Sequence, residues 1–269
     1  MKEAVTYIIS HGIVICAIAF IAIFALERIF PKHAFSPERS KKRLFNNVIV
    51  AISYRFISAP IIIAPLMVYM IRDFPYRMHR PDWYTGALAF VIDIMLLDLL
   101  NYTIHWSAHK IPVLWRFHAM HHLDEHIDST TGFRQHFGEK FLVLAIRLPG
   151  MLLIGVPFTT VVAFEVISFC VTTFHHSNIN IPQKLENLLS KLFVMPSFHN
   201  IHHGREIEYT DTNYGFIFSI WDRIFRTHSV DERPTGFETG LDHHSDFSAA
   251  KLIFLPFGKT PVKEWTSQN

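Results

Sequence analysis

The segment His105-Trp-Ser-Ala-His-Lys-Ile-Pro-Val-Leu-Trp-Arg-Phe-His-Ala-Met-His-His122 places five histidines within 18 residues. Residues three or four apart lie on the same face of a helix, so His105 and His109 point in one direction. Ile111-Pro112 ends that helix and starts another, on which His118 and His122 are again one turn apart. A second H-x2-HH cluster follows at residues 199–203. The spacing therefore predicts histidine-bearing helices whose imidazoles can meet at one point.

The histidines are enriched locally, because 12 of the 18 lie between residues 105 and 203. Burying one imidazole nitrogen without a partner costs about 1–3 kcal/mol, whereas a whole domain is stable by only about 5–15 kcal/mol. A buried cluster of this size therefore requires a metal, whereas solvated and scattered histidines would not. The predicted metal ligands are His105, His109, His118, His121, His122, His136, His176, His199, His202 and His203.

The number and chemical type of these ligands indicate which metals, and how many ions, the site would bind. Imidazoles suit zinc, copper, iron or nickel. A zinc ion takes about three or four protein ligands, so ten histidines indicate two ions. Redox chemistry is the preferred use, because a hydrolytic two-metal site commonly contains bridging carboxylates and these ligands are neutral. We expect nearby carboxylates to accept the second ring N–H of the ligands, and the candidates are Asp98, Asp124, Glu125, Asp128, Glu139 and Asp222.

The composition is typical of a membrane protein, since 50% of the 269 residues are hydrophobic and only 18% are charged. Apolar runs at residues 4–26 and 83–104 are long enough to cross a bilayer as helices. A further span is predicted at residues 46–71, or from Phe56 to Ile71 after an amphipathic lead-in.

A fourth apolar stretch, residues 141–174, is interrupted by Pro149-Gly150 and by Gly155-Val156-Pro157. These interruptions predict a helical hairpin, within which Arg147 and Glu165 are expected either to pair with each other or to face the helix bundle. The predicted fold class is an all-α integral membrane protein. About four transmembrane or hairpin helices would be capped on the cytoplasmic side by a helical, histidine-rich metal domain.

The orientation follows from a basic segment between the first two spans. It contains Arg28, Lys32, Arg39, Lys41, Lys42 and Arg43, and the positive-inside rule places it in the cytoplasm. The histidines would then share the cytoplasmic face. We expect an N-terminal transmembrane region over residues 1–97, a catalytic domain over 98–230 and a C-terminal tail at the membrane interface over 231–269. The net charge of +2 fits an anionic membrane surface and gives no sign of nucleic-acid binding.

Three other features support narrower expectations. Gln183–Met195 has leucines at helical spacing, for which packing on the domain core is preferred over binding to lipid. The apolar tail from Phe247 to Phe257 is expected to dock at the interface. Cys16 and Cys170 both lie in apolar runs, which indicates packing rather than a disulfide.

Several short motifs occur in order between Asp98 and Thr227. They are Asp98-Leu-Leu-Asn-Tyr, His105-x3-His109, Leu114-Trp-Arg-Phe-His-Ala-Met-His-His122, Ser129-Thr-Thr-Gly-Phe-Arg-Gln-His136, His176-Ser-Asn-Ile, His199-Asn-Ile-His-His203, Asn213-Tyr-Gly-Phe and Trp221-Asp-Arg-Ile-Phe-Arg-Thr227. Together they resemble the fatty acid hydroxylase / sterol desaturase superfamily, particularly its compact bacterial members. The resemblance implies a multi-pass protein of the bacterial inner membrane with a di-iron centre. It would use O2 to hydroxylate or desaturate a sterol, fatty acyl, alkylglycerol or carotenoid lipid.

The resemblance carries the ligand role to the same ten histidines. His175 is left out, because the single histidine of the family at this place aligns with His176. Four departures concern the surroundings of the ligands. Trp106 and Lys110 replace basic or differently placed residues often seen beside the first histidine pair, Phe137 stands where a proline is usual, and Arg226 replaces a frequent glycine. They bear on substrate shape more than on metal binding.

The sequence contains no G-x-G-x-x-G motif among its 11 glycines. Electrons are therefore expected from a separate reductase or a ferredoxin- or cytochrome-type carrier. Two alternatives use the same histidines. One is a zinc-dependent membrane hydrolase, in which a metal-bound water attacks an ester or amide. The other is a metal transporter or store, whose histidines should line a path near the bilayer midplane rather than cluster at one face.

Overall fold

The computed structural model describes residues 2–34, 37–53, 80–229, 236–241 and 247–258. Within these ranges the regular structure is helical, with isolated β-bridges and no β-strand, as the all-α prediction requires. The helices are α1 (Lys2–Ile29), α2 (Pro37–Ser53), α3 (Gly86–Lys110), α4 (Pro112–His122), α5 (Phe137–Ile154), α6 (Phe158–His175), α7 (Gln183–Leu189), α8 (Pro196–His202), α9 (Ile207–Thr210), α10 (Ile220–Ile224) and α11 (Ala249–Phe254).

Among the described residues, three helices are long and apolar enough to cross a membrane, over Ser10–Ile29, Gly86–Lys110 and Phe158–His175. They confirm apolar helices at the predicted spans 4–26 and 83–104. At roughly 1.5 Å per residue, α3 is about 37 Å long, more than the ~30 Å hydrocarbon core. Its carboxyl end carries His109, and α6 ends at His175. The carboxyl ends of α3 and α6 therefore lie on the same side of the membrane. We call this side the histidine side.

The predicted hairpin is present, but it contains one break instead of two. α5 continues through Pro149, so the expected interruption at Pro149-Gly150 was wrong. The helix ends at Gly155, whose φ of 68° is in the left-handed region that glycine adopts without steric cost. Pro157 then precedes α6. The predicted pairing of Arg147 with Glu165 is confirmed at 2.5 Å between Nη2 and Oε1.

Of the span predicted at residues 46–71, the structure describes only residues 46–53. Residues up to 53 belong to α2, and Val50 packs in an apolar core with Trp115, Met120 and Leu252. This part of α2 thus contacts the protein core. The shorter crossing from Phe56 to Ile71 lies outside the described residues. Leu252 belongs to α11, so the apolar segment from Phe247 to Phe257 packs on the same core.

Basic residues at the end of α1 and in α2 bind carboxylates that follow the histidines of α4. Arg43 donates to both Asp124 and Asp128, and Arg28 donates to Asp128 at 3.0 Å. Asp124 and Asp128 are buried and follow α4 directly. Charge-assisted hydrogen bonds of this kind are about twice as strong as neutral ones. They fix the basic segment against the histidine helices, on the histidine side.

Asp98 of α3 positions the loop before α10. Its carboxylate accepts the backbone N–H of Ile217 at 2.8 Å and of Phe218 at 3.0 Å, together with the indole N–H of Trp221 at 2.9 Å. Asp222 similarly accepts the N–H of Tyr214 at 2.8 Å. Residues 213–218 therefore lie against α3, beside the histidines at its carboxyl end.

Candidate metal centre

Five histidines from three helices form the first group. Their ligand nitrogens all lie within 4.8 Å of one another. The members are His105 and His109 from α3, His118 and His122 from α4, and His202 from α8. The predicted one-turn spacing on α3 and α4 is what points these rings to a common centre.

Backbone carbonyls orient two rings of the first group. His105 Nδ1 is 2.8 Å from the carbonyl oxygen of Tyr214, and His202 Nδ1 is 2.6 Å from that of Thr212. Because a carbonyl only accepts, each Nδ1 must carry the proton. Nε2 of each ring is then left with its lone pair, which is the state that binds a metal.

Carboxylates flank two further members of the first group. Glu139 accepts from His118 Nδ1 at 2.8 Å, as expected for a carboxylate beside a ligand. Asp211 Oδ1 lies 3.4 Å from His109 Nδ1 and was not predicted. By contrast, Asp98 and Asp222 bind mainly backbone N–H groups, and Asp124 and Asp128 bind arginine.

Four histidines form the second group: His121, His176, His199 and His203, whose ligand nitrogens also lie within 4.8 Å of one another. His176 Nε2 is 3.1 Å from His121 Nε2 and 3.0 Å from His199 Nε2. His176 Nδ1 donates to the carbonyl of Thr172 at 2.8 Å, so its Nε2 presents a lone pair. Several ring nitrogens thus converge on one small volume, as ligands do around a cation.

The two groups are adjacent because each H-x2-HH cluster is divided between them. Neighbouring residues on a helix point about 100° apart. His121 and His122 therefore enter different groups, and so do His202 and His203. The His122 and His203 rings stack across the boundary with centroids 4.6 Å apart.

Burial makes these rings suitable for metal. His202 and His203 are fully buried, and ring nitrogens of both have no hydrogen-bond partner within the protein. Burial lowers the pKa of His121, His122, His199, His202 and His203 well below the ordinary value, and lowers that of His176 to about 4. The rings are therefore neutral at pH 7, with lone pairs that a cation would satisfy. The residues fit a pair of nitrogen-ligated ions.

His136 is the one predicted ligand that the structure does not bring to either group. Its Nδ1 accepts the N–H of Gly138 at 2.9 Å, which caps α5, and its Nε2 donates to the carbonyl of Ile253 at 2.8 Å. Both ring nitrogens are therefore engaged in joining α5 to the C-terminal tail. Phe137 occupies the first position of α5, where proline is well tolerated, and this explains the proline usual there in the family.

His175, which the alignment left out, lies beside the second group. Its ring centroid is 4.2 Å from that of His199 and 4.6 Å from that of His176. Nδ1 contacts the carbonyl of Phe216 at 3.2 Å, and the buried Nε2 has no partner within the protein. Tyr214 was also missed as a site residue. Its buried ring lies against the first group, 5.1 Å from His109 between centroids.

The family comparison covers this centre. The fatty acid hydroxylase family model matches residues 90–227, a range that contains all nine histidines of the two groups. The chain belongs to the fatty acid hydroxylase family. This confirms the resemblance drawn from the ordered motifs. The arginine at position 226, where the family frequently has a glycine, also has a structural aspect. Arg226 has a φ of 58°, in the region that favours glycine.

Curated relatives in this superfamily include enzymes named for lipid oxidation. The chain is 25% identical to the ornithine lipid hydroxylase OlsE of Rhizobium tropici over 70% of its own length and 56% of the relative. It is 32% identical to the alkylglycerol monooxygenase of Xenopus tropicalis over 56% of its own length and 33% of the relative. A cholesterol 25-hydroxylase-like protein of Danio rerio is 26% identical over 51% of this chain and 49% of the relative. The chain thus spans between about a third and a little over half of these relatives. No solved structure matches it significantly.

Proposed function

We propose that this protein is an O2-dependent di-iron oxidoreductase that hydroxylates a C–H bond of a membrane lipid. The observation that carries the proposal is the arrangement of nine imidazoles, eight of them buried, in two adjacent groups, in a chain of the fatty acid hydroxylase family. The sequence left hydroxylation and desaturation open. Hydroxylation is preferred because the relatives are named hydroxylases or monooxygenases.

The ligands proposed for the first iron are His105, His109, His118, His122 and His202, and those for the second are His121, His176, His199 and His203. His136 is not included, because both of its ring nitrogens have other partners. When bound, the iron pair supplies the activation of O2 and the oxidising power needed for an unactivated C–H bond.

The side chains around the ligands would serve three purposes. Glu139 and the carbonyls of Tyr214 and Thr212 hold the protonated ring nitrogens, so that the opposite nitrogens face the metals. Burial of most of the ligand imidazoles excludes water from the reacting centre. The buried Tyr214 ring closes one side of the first group, and burial raises the pKa of its phenol above the ordinary value.

The proposed substrate is a lipid that approaches from the bilayer in which α1, α3 and α6 lie. The first compound to test is an ornithine lipid, because the relative of that name matches the largest share of this chain among those described above. Alkylglycerol, fatty acyl, sterol and carotenoid lipids are the other classes. Electrons would come from a separate reductase or a ferredoxin- or cytochrome-type carrier.

We also propose that the histidine side is the cytoplasmic side of a bacterial inner membrane. The support is the position of Arg28, Lys32 and Arg43, which contact carboxylates of the part of the chain that holds the histidines. Basic segments next to a span favour the cytoplasm.

The deciding experiment is purification in lipid nanodiscs without oxygen, followed by metal analysis. O2 uptake is then measured with a chemical reductant and a lipid extract. Labelled ¹⁸O2 is expected to yield a lipid with one additional, labelled oxygen atom. Zinc as the sole metal, with no O2 uptake after iron reconstitution, would reject the proposal and favour the hydrolase.

A further inference from the structure

The segment that includes α7 presents most of its apolar side chains outward. Leu188 is 60% exposed and Phe193 41%, while Glu186 is completely buried. The expected packing of this segment on the core was therefore wrong for most of its leucines. The reason is that α7 buries its acidic side: Glu186 accepts from Lys32 at 2.6 Å and from the N–H of Ser197 at 3.1 Å.

A second exposed apolar pair lies in a neighbouring segment. Ile224 is 56% exposed and Phe225 52%. Arg223 donates to the carbonyl of Ser190 at 3.2 Å, which connects this pair to the turn that follows α7. We call residues 184–193 and 223–226 together the basic apolar face. Its exposed apolar members are Leu185, Leu188, Leu192, Phe193, Ile224 and Phe225.

The exposed charges of this face all have one sign. Its exposed cations are Lys184, Lys191, Arg223 and Arg226. Glu186, the acid within the face, is buried and paired with Lys32. The neighbouring Asp222 is buried as well. A surface of this composition attracts anionic groups around an apolar centre.

Contacts to two membrane-spanning helices fix the depth of the face. Directly after α1, the carbonyl of Phe30 accepts the N–H of Asn180 at 2.8 Å, and the Lys32–Glu186 ion pair follows. On the other flank, Phe225 stacks on Tyr102 of α3 with centroids 5.3 Å apart. The face therefore lies beside the carboxyl end of α1 and beside the last third of α3, on the histidine side.

We propose that the basic apolar face lies in the bilayer surface on the histidine side, with its apolar side chains among the acyl chains and its cations at anionic lipid phosphates. The inference goes beyond the proposed function, because it requires neither metal nor catalysis. Glu186 also connects this face to the second histidine group. Since this carboxylate binds the N–H of Ser197, two residues before His199, it braces the second histidine group against the lipid-facing segment.

The test uses an environment-sensitive fluorophore on Leu188→Cys, in a Cys16→Ala/Cys170→Ala background, in nanodiscs. The matched control is Glu208→Cys, an exposed position in the acidic segment at α9. Phospholipids carrying a nitroxide near the headgroup are expected to quench the label at position 188 at least about twofold more than the control label. Aqueous iodide is expected to show the opposite preference.

A charge-reversal variant tests whether the cations of this face bind anionic lipids. Lys184→Glu/Lys191→Glu is expected to lower nitroxide quenching at position 188 in discs that contain phosphatidylglycerol, and to change it little in discs of phosphatidylcholine alone. Strong iodide quenching at position 188, with no effect of the nitroxide lipids, would overturn the proposal. Protection from both quenchers would also overturn it, because a protein partner or a second copy would then cover the face. Each result is independent of iron content and lipid oxidation.

Discussion

The first and second histidine groups draw on the same two H-x2-HH sequences, but their surroundings differ. In the first group, Glu139 and Asp211 flank ligand rings, and two backbone carbonyls orient others. In the second group, the hydrogen bond that orients a ring from outside, among the described residues, is the one from His176 to the carbonyl of Thr172. His175 packs against that group instead. We therefore expect the first site to retain its metal more tightly than the second.

The largest effect is expected from changing two adjacent histidines that belong to different groups. His202→Ala and His203→Ala remove equally buried rings from the same turn, one from each group. Each variant should lose one of the two ions, and activity should fall at least about 100-fold in both. Metal analysis after dialysis measures the loss, with exposed His33→Ala as the control. If both variants lost both ions, the division into separate sites would be wrong.

Asp98→Ala should affect both groups together. The loop that Asp98 holds supplies the carbonyl of Tyr214 to His105 and the carbonyl of Phe216 to His175. Leaving its buried N–H donors unpaired is expected to cost about 1–3 kcal/mol each. Thermal unfolding of the purified protein and metal retention should both decrease. Asp82→Asn, at an exposed position, is the control, and a loss from one site only would contradict this role.

Glu139→Ala should weaken the first site selectively. Removal of the carboxylate leaves His118 without its acceptor, and such changes lower metal affinity about 10–100-fold. Competition with a chelator would measure the two sites separately. Glu139→Gln, which keeps an acceptor oxygen, should restore part of the affinity. Equal weakening of both sites would show that Glu139 supports the fold and not one group.

The smallest effect is expected at His175. His175→Phe preserves most of the ring packing against His199, whereas His175→Ala does not. If His175 acts by packing, the second ion should be retained several-fold less well in the alanine variant and nearly normally in the phenylalanine variant. An equal loss in both variants would instead show that the ring nitrogen is required. Chelator competition at the second site gives the answer.

Local patterns in the sequence predicted the apolar helices at residues 4–26 and 83–104 and nine of the histidines that the structure brings together. Apolar runs predicted these helices because the length and apolarity of a segment decide whether it can cross a bilayer as a helix. Histidines one turn apart predicted convergent rings because helix geometry is independent of the rest of the fold. Gly155 and Pro157 marked the hairpin turn for the same local reason. Pro149 did not end its helix, although the local pattern predicted that it would.

Only the tertiary structure decided which group each histidine ring nitrogen contacts. His136 and His175 are both buried histidines near the centre, yet one bonds to a distant carbonyl and the other packs beside the second group. Carbonyl acceptors such as Tyr214 and Phe216 have no side-chain signature, so spacing cannot reveal them. Glu186 likewise contacts Lys32 and Ser197, and these contacts leave most leucines of α7 on its exposed side. These choices depend on segments far apart in sequence, whose proximity exists only once the chain has folded.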